Sequence, residues 1–234
     1  MRRMIVSTVS AIAFAVSLAA ALASSLAAQT TGVHPISGRR FAPVMGWQGA
    51  DWLERSERSA EEAPDLTIRI LNIRKGASVA DIGAGSGYMT LRLAAEVGPS
   101  GRVYANDVQP EMIAMLRRRF SGERFAQVTV VQGEIDDPKL PSSSIELELL
   151  VDVYHEFSRP QAMLRHLRDA LKPAGRLVLV EYRKEDPTIP IRVEHKMSVQ
   201  EAKLEVEAEG FDLSKVDETL PRQHVLIFMP SAGH

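Results

Sequence analysis

The sequence predicts an α/β protein, a three-layer sandwich built around a seven-stranded, mostly parallel sheet whose last strand is antiparallel. Three observations predict this class. Short apolar runs alternate with segments of helical periodicity, which is typical of a parallel sheet covered on both faces. A glycine-rich turn, Gly83 to Gly87, follows the first apolar run. Two strand candidates flank Pro221 near the C-terminus, and such a close pair is antiparallel.

The elements follow in a regular order. Helical patterns over 50–62 and from Pro64 precede the first strand. Further helices are predicted over 87–97, from Pro110, over 159–171 and over 199–209, each placed by its apolar spacing and by proline or glycine at its ends. The strands are predicted over 78–82, 102–106, 128–132, 145–151, 176–182, 213–218 and 224–229.

Composition limits the classes of function. The chain has 234 residues, 45% of them hydrophobic and 25% charged, which suits one substantial globular domain. A net charge of −2 predicts no nucleic-acid partner. The absence of cysteine excludes disulfides, a thiol nucleophile and cysteine-ligated zinc. The sequence says nothing about the oligomeric state.

The N-terminal segments differ from the rest. Arg2 and Arg3 precede an uncharged run, so residues 1–28 are predicted to be a secretory signal peptide and the protein to be exported, periplasmic or secreted. The alternatives are an uncleaved membrane anchor, which would be the only membrane contact, and a mis-assigned start codon. Residues 29–65, with both tryptophans, are predicted to form a lid over a site or a strap over a hydrophobic edge. Residues 66–234 form the main domain.

The glycine-rich turn indicates a ligand site. Asp81 ends the first strand, and Gly83, Gly85 and Gly87 follow at alternate positions before a helix begins. Glycine lets the backbone turn tightly and approach a ligand, and the free N–H groups of a helix start favour polar or anionic groups. The alternating spacing differs from the GxGxxG fingerprint of dinucleotide sites.

This spacing resembles motif I of the class I S-adenosylmethionine-dependent methyltransferases, a Rossmann-like family with strand order 3-2-1-4-5-7-6. The resemblance covers roughly residues 65–230 and includes the turn Leu171–Arg176, where Ala174 replaces a usual glycine. It implies that S-adenosyl-L-methionine is the cofactor and that Asp81 helps to hold its amino end. It also implies that the loop binds the methionine part of the cofactor, through Gly83, Ala84, Gly85, Gly87 and Tyr88.

Three further positions are predicted cofactor contacts. Asp107 closes the second strand, where a carboxylate can accept hydrogen bonds from both ribose hydroxyls, with Val108 beside it. Asp107 could alternatively only stabilise the following helix dipole. The family places an acid after strand three at the adenine amino group, and Glu134 and Asp136 are both candidates. Glu134 lies closer to the strand end, so it, or the adjacent backbone N–H of Ile135 at the adenine ring, is assigned to the base. Asp152, at the end of strand four, completes the set.

The acceptor side is predicted at the ends of strands four and five, where His155, Tyr154 and Glu181 are assigned to catalysis. His155 could take a proton from an attacking hydroxyl or amine, or could be only a hydrogen-bonded strut. Side chains of metal-ligand type are also present, but no spacing supports a metal, so none is predicted; they are His155, Glu156, Glu181 and His195, with Asp152 or His34 as helpers. His195 and Lys196 could close over the pocket.

The resemblance implies methyl transfer to an unidentified small-molecule acceptor by direct in-line displacement. The segments His34–Arg39, Asp152–Phe157 and Val180–Pro187 are similar to those of exported bacterial methyltransferase-domain proteins. Two alternatives remain at this point: a non-catalytic protein that binds S-adenosylmethionine or S-adenosylhomocysteine, and an NAD-dependent oxidoreductase. The glycine spacing and the C-terminal strand pair argue against the oxidoreductase.

Overall fold

The structure, a computed structural model, describes residues 32–232. The predicted signal peptide, residues 1–28, lies outside the described residues. One seven-stranded sheet has the order β3-β2-β1-β4-β5-β7-β6, as predicted. Only β7 runs antiparallel to its neighbours, and the other pairings are parallel. The strands are β1 Ser78–Ile82, β2 Arg102–Asp107, β3 Val128–Gln132, β4 Ile145–Val151, β5 Leu171–Tyr182, β6 Phe211–Asp217 and β7 Gln223–Pro230.

Helices cover both faces of this sheet. Proline occupies the first turn of three of them, where its missing N–H costs nothing. The last helix begins with a capping box between Ser198 and Glu201. The helices are α1 Ala50–Leu53, α2 Arg58–Glu62, α3 Pro64–Leu71, α4 Tyr88–Val97, α5 Pro110–Arg119, α6 Pro160–Ala170 and α7 Val199–Glu207.

The core is divided by the sheet into two layers. On one face α3 and α4 bury Leu71, Leu93 and Val97 against β1, β2 and β4. On the other face α6 and α7 bury Leu167 and Val206 against β5 and β7. Burying one such aliphatic side chain contributes about 1.5–3 kcal/mol. Both layers therefore hold the strand ends, and the loops that follow them, in fixed positions.

Two element boundaries differ from the sequence-based prediction by more than two residues. The predicted helix over 50–62 is broken into α1 and α2, because the guanidinium of Arg58 donates to the Leu53 carbonyl at 2.9 Å and that of Arg55 donates to the Trp52 carbonyl at 3.0 Å. These side chains satisfy carbonyls that a continuous helix would have paired with backbone N–H groups. Strand β5 begins at Leu171 rather than 176, since Leu171 pairs with Ile145 across a register shift.

The topology brings the functional loops together. The parallel strands β1, β2, β4 and β5 end at the same edge of the sheet, and β1 and β4 are adjacent at its centre. Crevices outside the carboxyl ends of such strands are the usual ligand sites of open α/β sheets. Within residues 32–232 no helix combines the length and the apolar character that crossing a membrane requires.

Candidate active site

The glycine loop between β1 and α4 is conformationally constrained. Gly83, Gly85 and Gly87 have positive φ angles of 68°, 54° and 86°. A Cβ at Gly83 would lie 2.4 Å from Val153, and one at Gly85 would lie 2.7 Å from Leu53. The turn therefore requires glycine both for its backbone angles and for the closeness of the neighbouring walls.

Asp107 holds this loop in place. Its Oδ2 accepts a hydrogen bond from the Gly85 N–H at 3.0 Å, and its Oδ1 accepts one from the Gln109 N–H at 2.9 Å. Burial raises the pKa of Asp107, and these backbone donors counteract part of that effect. The carboxylate thus links the glycine loop to the start of α5, and it lies in the wall of the cavity beside them.

A cavity of about 640 Å³ opens at the carboxyl edge of the sheet. This volume lies within the range of about 300–1,000 Å³ that is usual for small-molecule sites. One end, below the ends of β1, β2 and β3, is lined by Gly83, Gly85, Asn106, Asp107, Val108 and Ile135. The other end, near β4 and β5, is lined by Asp152, His155, Glu156, Phe157, Tyr182, Pro190, Ile191, Arg192 and His195.

Five of the predicted cofactor residues lie behind the cavity wall or away from it. Asp81 is buried, accepts a hydrogen bond from Thr90 at 2.5 Å, and has a pKa raised to about 6 by burial. Its carboxylate therefore joins the end of β1 to α4. Ala84 and Gly87 form the turn itself and are absent from the wall. Tyr88 packs between two guanidinium groups, with the Arg58 carbon 4.3 Å from its ring.

Glu134 is the fifth of these residues. Its exposed side chain lies 3.3 Å from the Lys139 amine, and it is absent from the cavity wall. Its neighbour Ile135, the other residue assigned to the adenine position, lines the cavity. The predicted contacts that do line the cavity are Gly83, Gly85, Asp107, Val108, Ile135 and Asp152.

A buried histidine–carboxylate pair marks the opposite end of the cavity. Glu181, at the end of β5, is fully buried and lies 2.5 Å from His155 Nδ1 through its Oε2. Its Oε1 accepts the Tyr154 N–H at 3.0 Å. Burial opposes protonation of His155, but the Glu181 carboxylate outweighs it and raises the pKa. The pair therefore fixes Nδ1 as the protonated nitrogen and directs Nε2 away from Glu181.

Two further titratable side chains adjoin His155. His195 Nδ1 lies 3.2 Å from His155 Nε2, and Glu156 Oε1 lies 4.0 Å from His195 Nδ1. Burial raises the pKa of Glu156 to about 7. Burial lowers the pKa of His195, and the neighbouring His155 lowers it further. The sequence analysis considered His195 as a closing residue and as one of several side chains of metal-ligand type, and the short helical turn Val193–His195 carries it into this cluster.

Tyr154 does not reach the cavity, which corrects its assignment to catalysis. Its side chain is fully buried in the core layer formed by α6 and α7, against Phe157 at a ring distance of 5.6 Å. The buried position of the Tyr154 side chain follows from the backbone, because Tyr154–Glu156 forms a single 3₁₀ turn. Successive side chains point in different directions there, so His155 faces the cavity and Tyr154 faces the opposite layer.

The chain before α1 is anchored by a buried ion pair. Arg39 donates to both oxygens of Glu205, at 3.0 and 2.9 Å, and to the His155 carbonyl at 3.0 Å. Ser37 donates to the same carboxylate at 2.5 Å. Arg39 and Glu205 are both buried, so this segment is attached to α7 and to the turn that carries His155.

Residues 44–58 contribute one wall of the cavity, through Val44, Met45, Gly49, Trp52, Leu53 and Arg58. Gln109, at the start of α5, accepts the Trp47 N–H at 2.9 Å and donates to the Met45 carbonyl at 3.0 Å. The wall is thus joined to the rest of the site by polar contacts. Its function as a lid stays a prediction.

Several lining residues were not predicted from the sequence. Gln109 and Asn106 flank Asp107, and their closeness to the second strand end could have suggested them. Arg58 carries no such signal. Its guanidinium donates to Glu62 at 2.6 Å and lines the cavity beside the glycine loop. Only the fold of the N-terminal segment brings it there.

The site can be compared with known proteins. Residues 79–175 match the family model described as a methyltransferase domain. A solved S-adenosylmethionine-dependent methyltransferase from Aquifex aeolicus superposes with a TM-score of 0.75 at 24% identity, covering 80% of this chain and 100% of that protein. At that identity the likeness shows the fold.

Two curated relatives are similar over part of the chain. The ubiquinone/menaquinone biosynthesis C-methyltransferase UbiE of Hahella chejuensis is 30% identical over 127 residues, 54% of this chain and 50% of that protein. The protein-L-isoaspartate O-methyltransferase of Methanothrix thermoacetophila is 30% identical over 121 residues, 52% of this chain and 55% of that protein. The chain therefore spans about half the length of the curated relatives that it matches.

Proposed function

Because the chain belongs to the class I S-adenosylmethionine-dependent methyltransferases, we propose that it transfers a methyl group to a small-molecule acceptor bound in the cavity. One observation carries the proposal. The glycine loop and Asp107 form one end of a cavity whose other end holds the His155–Glu181 pair. A cofactor end and a proton-accepting end thus share one cavity.

The residues at the glycine end fit the cofactor. Gly83 and Gly85 expose the backbone of a tight turn, and any side chain there would collide with Val153 or Leu53. The Asp107 carboxylate accepts hydrogen bonds from two backbone N–H groups, which hold it in place, and it can also accept hydrogen bonds from the ribose hydroxyls. Val108 and Ile135 offer apolar surface to the adenine ring. When bound, the cofactor supplies a sulfonium-activated methyl group.

The chain's own contribution is alignment and proton transfer. A lone pair of the acceptor forms the new bond to the methyl carbon as the carbon–sulfur bond breaks, and S-adenosylhomocysteine leaves. A hydroxyl or amine acceptor also loses a proton, which His155 Nε2 can take while Glu181 stabilises the resulting imidazolium. Holding the two reactants in line can contribute on the order of 7–11 kcal/mol.

The lining of the acceptor end indicates the class of acceptor. Phe157, Met163, Ile191 and the aromatic ring of Tyr182 provide apolar surface, whereas His155 and its polar neighbours occupy one side. This combination suits a compact aromatic or aliphatic molecule with one ionisable hydroxyl or amine. One curated relative is named a C-methyltransferase of ubiquinone/menaquinone biosynthesis and the other a protein-L-isoaspartate O-methyltransferase, so their names do not agree on an acceptor for this chain.

Calorimetry tests cofactor choice. We expect S-adenosylmethionine and S-adenosylhomocysteine to bind with dissociation constants of tens of micromolar or tighter, and NAD to give no heat. The matched variant is Asp107→Asn, which keeps the side-chain shape. Binding of NAD without binding of either adenosyl compound would refute the proposal in favour of an oxidoreductase.

Turnover separates an enzyme from a binding protein. The protein is incubated with S-adenosylmethionine and a panel of phenols, catechols, amines and carboxylic acids, and S-adenosylhomocysteine is quantified. We expect acceptor-dependent release that falls in His155→Ala while S-adenosylhomocysteine affinity is kept. Cofactor binding with no release from any acceptor would favour the non-catalytic alternative.

Export belongs to the same proposal. The charged start and apolar run of residues 1–28 support a periplasmic or secreted location. Fractionation of cells that produce the full chain, with N-terminal sequencing of the product, is the test. A product that retains Met1 in the cytosolic fraction would contradict export, and one that retains it in the membrane fraction would identify an anchor.

A further inference from the structure

Three metal-ligand side chains converge at the acceptor end of the cavity. His155, Glu156 and His195 each offer one ligand atom, and these atoms lie within 4.8 Å of one another. We propose that they bind a divalent transition-metal ion that faces the acceptor. This inference rests on the proposed function, because it adds an ion to the same cavity.

The distances suit a metal ion after small movements. A cation with bonds of about 2.1 Å holds adjacent ligand atoms about 3.0–3.4 Å apart, at octahedral or tetrahedral angles. His155 Nε2 and His195 Nδ1 are already 3.2 Å apart. The separation of 4.0 Å between His195 Nδ1 and Glu156 Oε1 must shorten by less than about 1 Å. The remaining pair, His155 and Glu156, lies within 4.8 Å and must shorten by at most about 1.8 Å, a movement that the partly exposed Glu156 side chain can make.

His155 is already oriented as metal-binding histidines are. Metal-ligating imidazoles commonly donate their other ring N–H to a carboxylate, which fixes the tautomer and makes the ligating nitrogen more basic. Glu181 provides this contact at 2.5 Å and is itself fixed by the Tyr154 N–H at 3.0 Å. The lone pair of Nε2 is thereby presented to His195 and the cavity.

The backbone around the cluster is also held. The His155 carbonyl accepts from the Ala42 N–H and from Arg39 Nη1, both at 3.0 Å. Glu156 Oε1 accepts the Met45 N–H at 3.2 Å. The N-terminal segment therefore restrains two of the three ligands before any ion arrives, which reduces the ordering required on binding.

The donor set selects the class of ion. Two imidazoles and one carboxylate favour zinc, manganese, cobalt or iron(II) over magnesium and calcium, which prefer oxygen. Three protein ligands leave at least one coordination position for an exogenous group, the arrangement of catalytic rather than structural sites. All three residues line the cavity, so that open position faces the acceptor.

A bound ion would change the role of His155. Its Nε2 would be a ligand and no longer a base, and an acceptor oxygen in the open position would become more acidic, releasing its proton to water. The sequence offered these ligand types but no metal-binding spacing, because His195 lies 40 positions beyond His155, and so no metal was predicted. In the absence of an ion, a hydrogen bond between the two imidazoles would account for their contact.

The experiment measures metal binding directly. Tag-free protein is treated with a chelator and dialysed, then titrated with Zn²⁺ by calorimetry and with Co²⁺ by visible absorption. We expect one ion per chain and ligand-field bands of nitrogen–oxygen coordination. The affinity for the metal should fall about 100-fold in His195→Ala and at least tenfold in Glu156→Gln. Glu181→Gln removes only the charge that orients His155, and it should also lower the affinity for the metal, by about 10- to 100-fold.

His166→Ala is the matched control, because it removes an exposed histidine of α6 that is remote from the cluster. Its affinity should equal that of the unmodified protein. Thermal melts of every variant establish that the fold is kept. Absence of stoichiometric binding, or affinities unchanged in both His195→Ala and Glu156→Gln, would overturn the metal site and leave the two imidazoles as a hydrogen-bonded pair.

S-adenosylhomocysteine titration of the same metal-free samples keeps the two proposals separate. Intact cofactor binding with no metal binding refutes the ion alone. Loss of cofactor binding in the unmodified protein refutes the proposed function whatever the metal result. A metal-dependent increase in methyl release, lost in Glu156→Gln, would place the ion in the reaction.

Discussion

Replacing Gly83 by alanine should be far more costly than an ordinary glycine-to-alanine change. Gly83 has a φ of 68°, and an added Cβ would lie 2.4 Å from Val153 Cγ2. A left-handed conformation costs a non-glycine residue about 1–2 kcal/mol. Overpacking against Val153 adds about 1–3 kcal/mol. The free energy of unfolding should therefore fall by about 2–5 kcal/mol.

Gly76→Ala is the matched control for the backbone contribution. Gly76 has a similar φ of 79°, but a Cβ there would make only ordinary contacts with Ser100, at 3.4 Å from Oγ and 4.0 Å from the carbonyl oxygen. Its substitution should cost only the conformational part, about 1–2 kcal/mol. The difference between the two variants in urea unfolding isolates the contact with Val153. Equal losses in Gly83→Ala and Gly76→Ala would refute the steric argument.

A double-mutant cycle with Val153→Ala tests the same contact from the other side. That change removes the atom 2.4 Å away and leaves Val153 Cβ at 3.1 Å, which is tight but tolerable. The two substitutions should couple favourably by about 1–3 kcal/mol, since the clash exists only when both side chains are present. Additive losses would show that the loop relaxes by another route. In Gly83→Ala alone, S-adenosylhomocysteine affinity should fall at least about tenfold, or 1.4 kcal/mol, because the loop must shift.

Three further predictions address other parts of the molecule. Arg39→Met should lower the free energy of unfolding by about 3–5 kcal/mol, because it leaves buried Glu205 without its ion-pair partner. The double variant Arg39→Met with Glu205→Leu should recover most of that loss in urea titrations. Equal losses in the single and double variants would contradict a paired charge. Asp107→Asn should weaken S-adenosylhomocysteine binding about 10- to 100-fold by calorimetry, because the charge that accepts from the ribose is lost; an unchanged affinity would reduce Asp107 to a loop support. Glu148 is fully buried in β4 with no hydrogen-bond partner for either oxygen among the described residues, and burial raises its pKa well above the usual value. The folded state thus holds its proton longer than the unfolded state, so stability should decline as pH rises above about 4.5, and Glu148→Gln should remove that part of the decline in unfolding curves collected from pH 4 to pH 9; a slope that persists in Glu148→Gln would assign it to other groups.

Much of the fold follows from local sequence. Strand β1, the glycine turn and α4 are adjacent along the chain, so periodicity, glycine spacing and Asp81 are sufficient to predict them. The antiparallel end of the sheet follows from the short connection around Pro221. The strand order agrees with the resemblance to the methyltransferase family. These features depend on interactions between near neighbours, which a linear pattern records.

The site was predictable only where chemistry and backbone position coincide. Asp107 lies in the cavity wall because a strand end determines where its side chain projects. Tyr154 and His155 are consecutive, and the sequence assigned both to catalysis. The 3₁₀ turn separates them, directing one into the core and the other into the cavity. The backbone conformation of this turn decides the direction of each side chain, and that direction cannot be predicted from the residue types.

By itself, the sequence determined the sheet and the glycine loop, because each depends on contiguous residues whose spacing is physically restrictive. The type of cofactor came from the resemblance of that loop to the methyltransferase family. Only the tertiary structure decided the composition of the acceptor end. Arg58 reaches the cavity from the N-terminal segment, and His195 reaches it from the turn after β5, beside His155. Glu181, at the end of β5, is buried behind the wall and contacts His155. Such contacts form only when the chain folds. Periodicity is a property of neighbouring residues, so it cannot predict which residues far apart in the chain will come into contact.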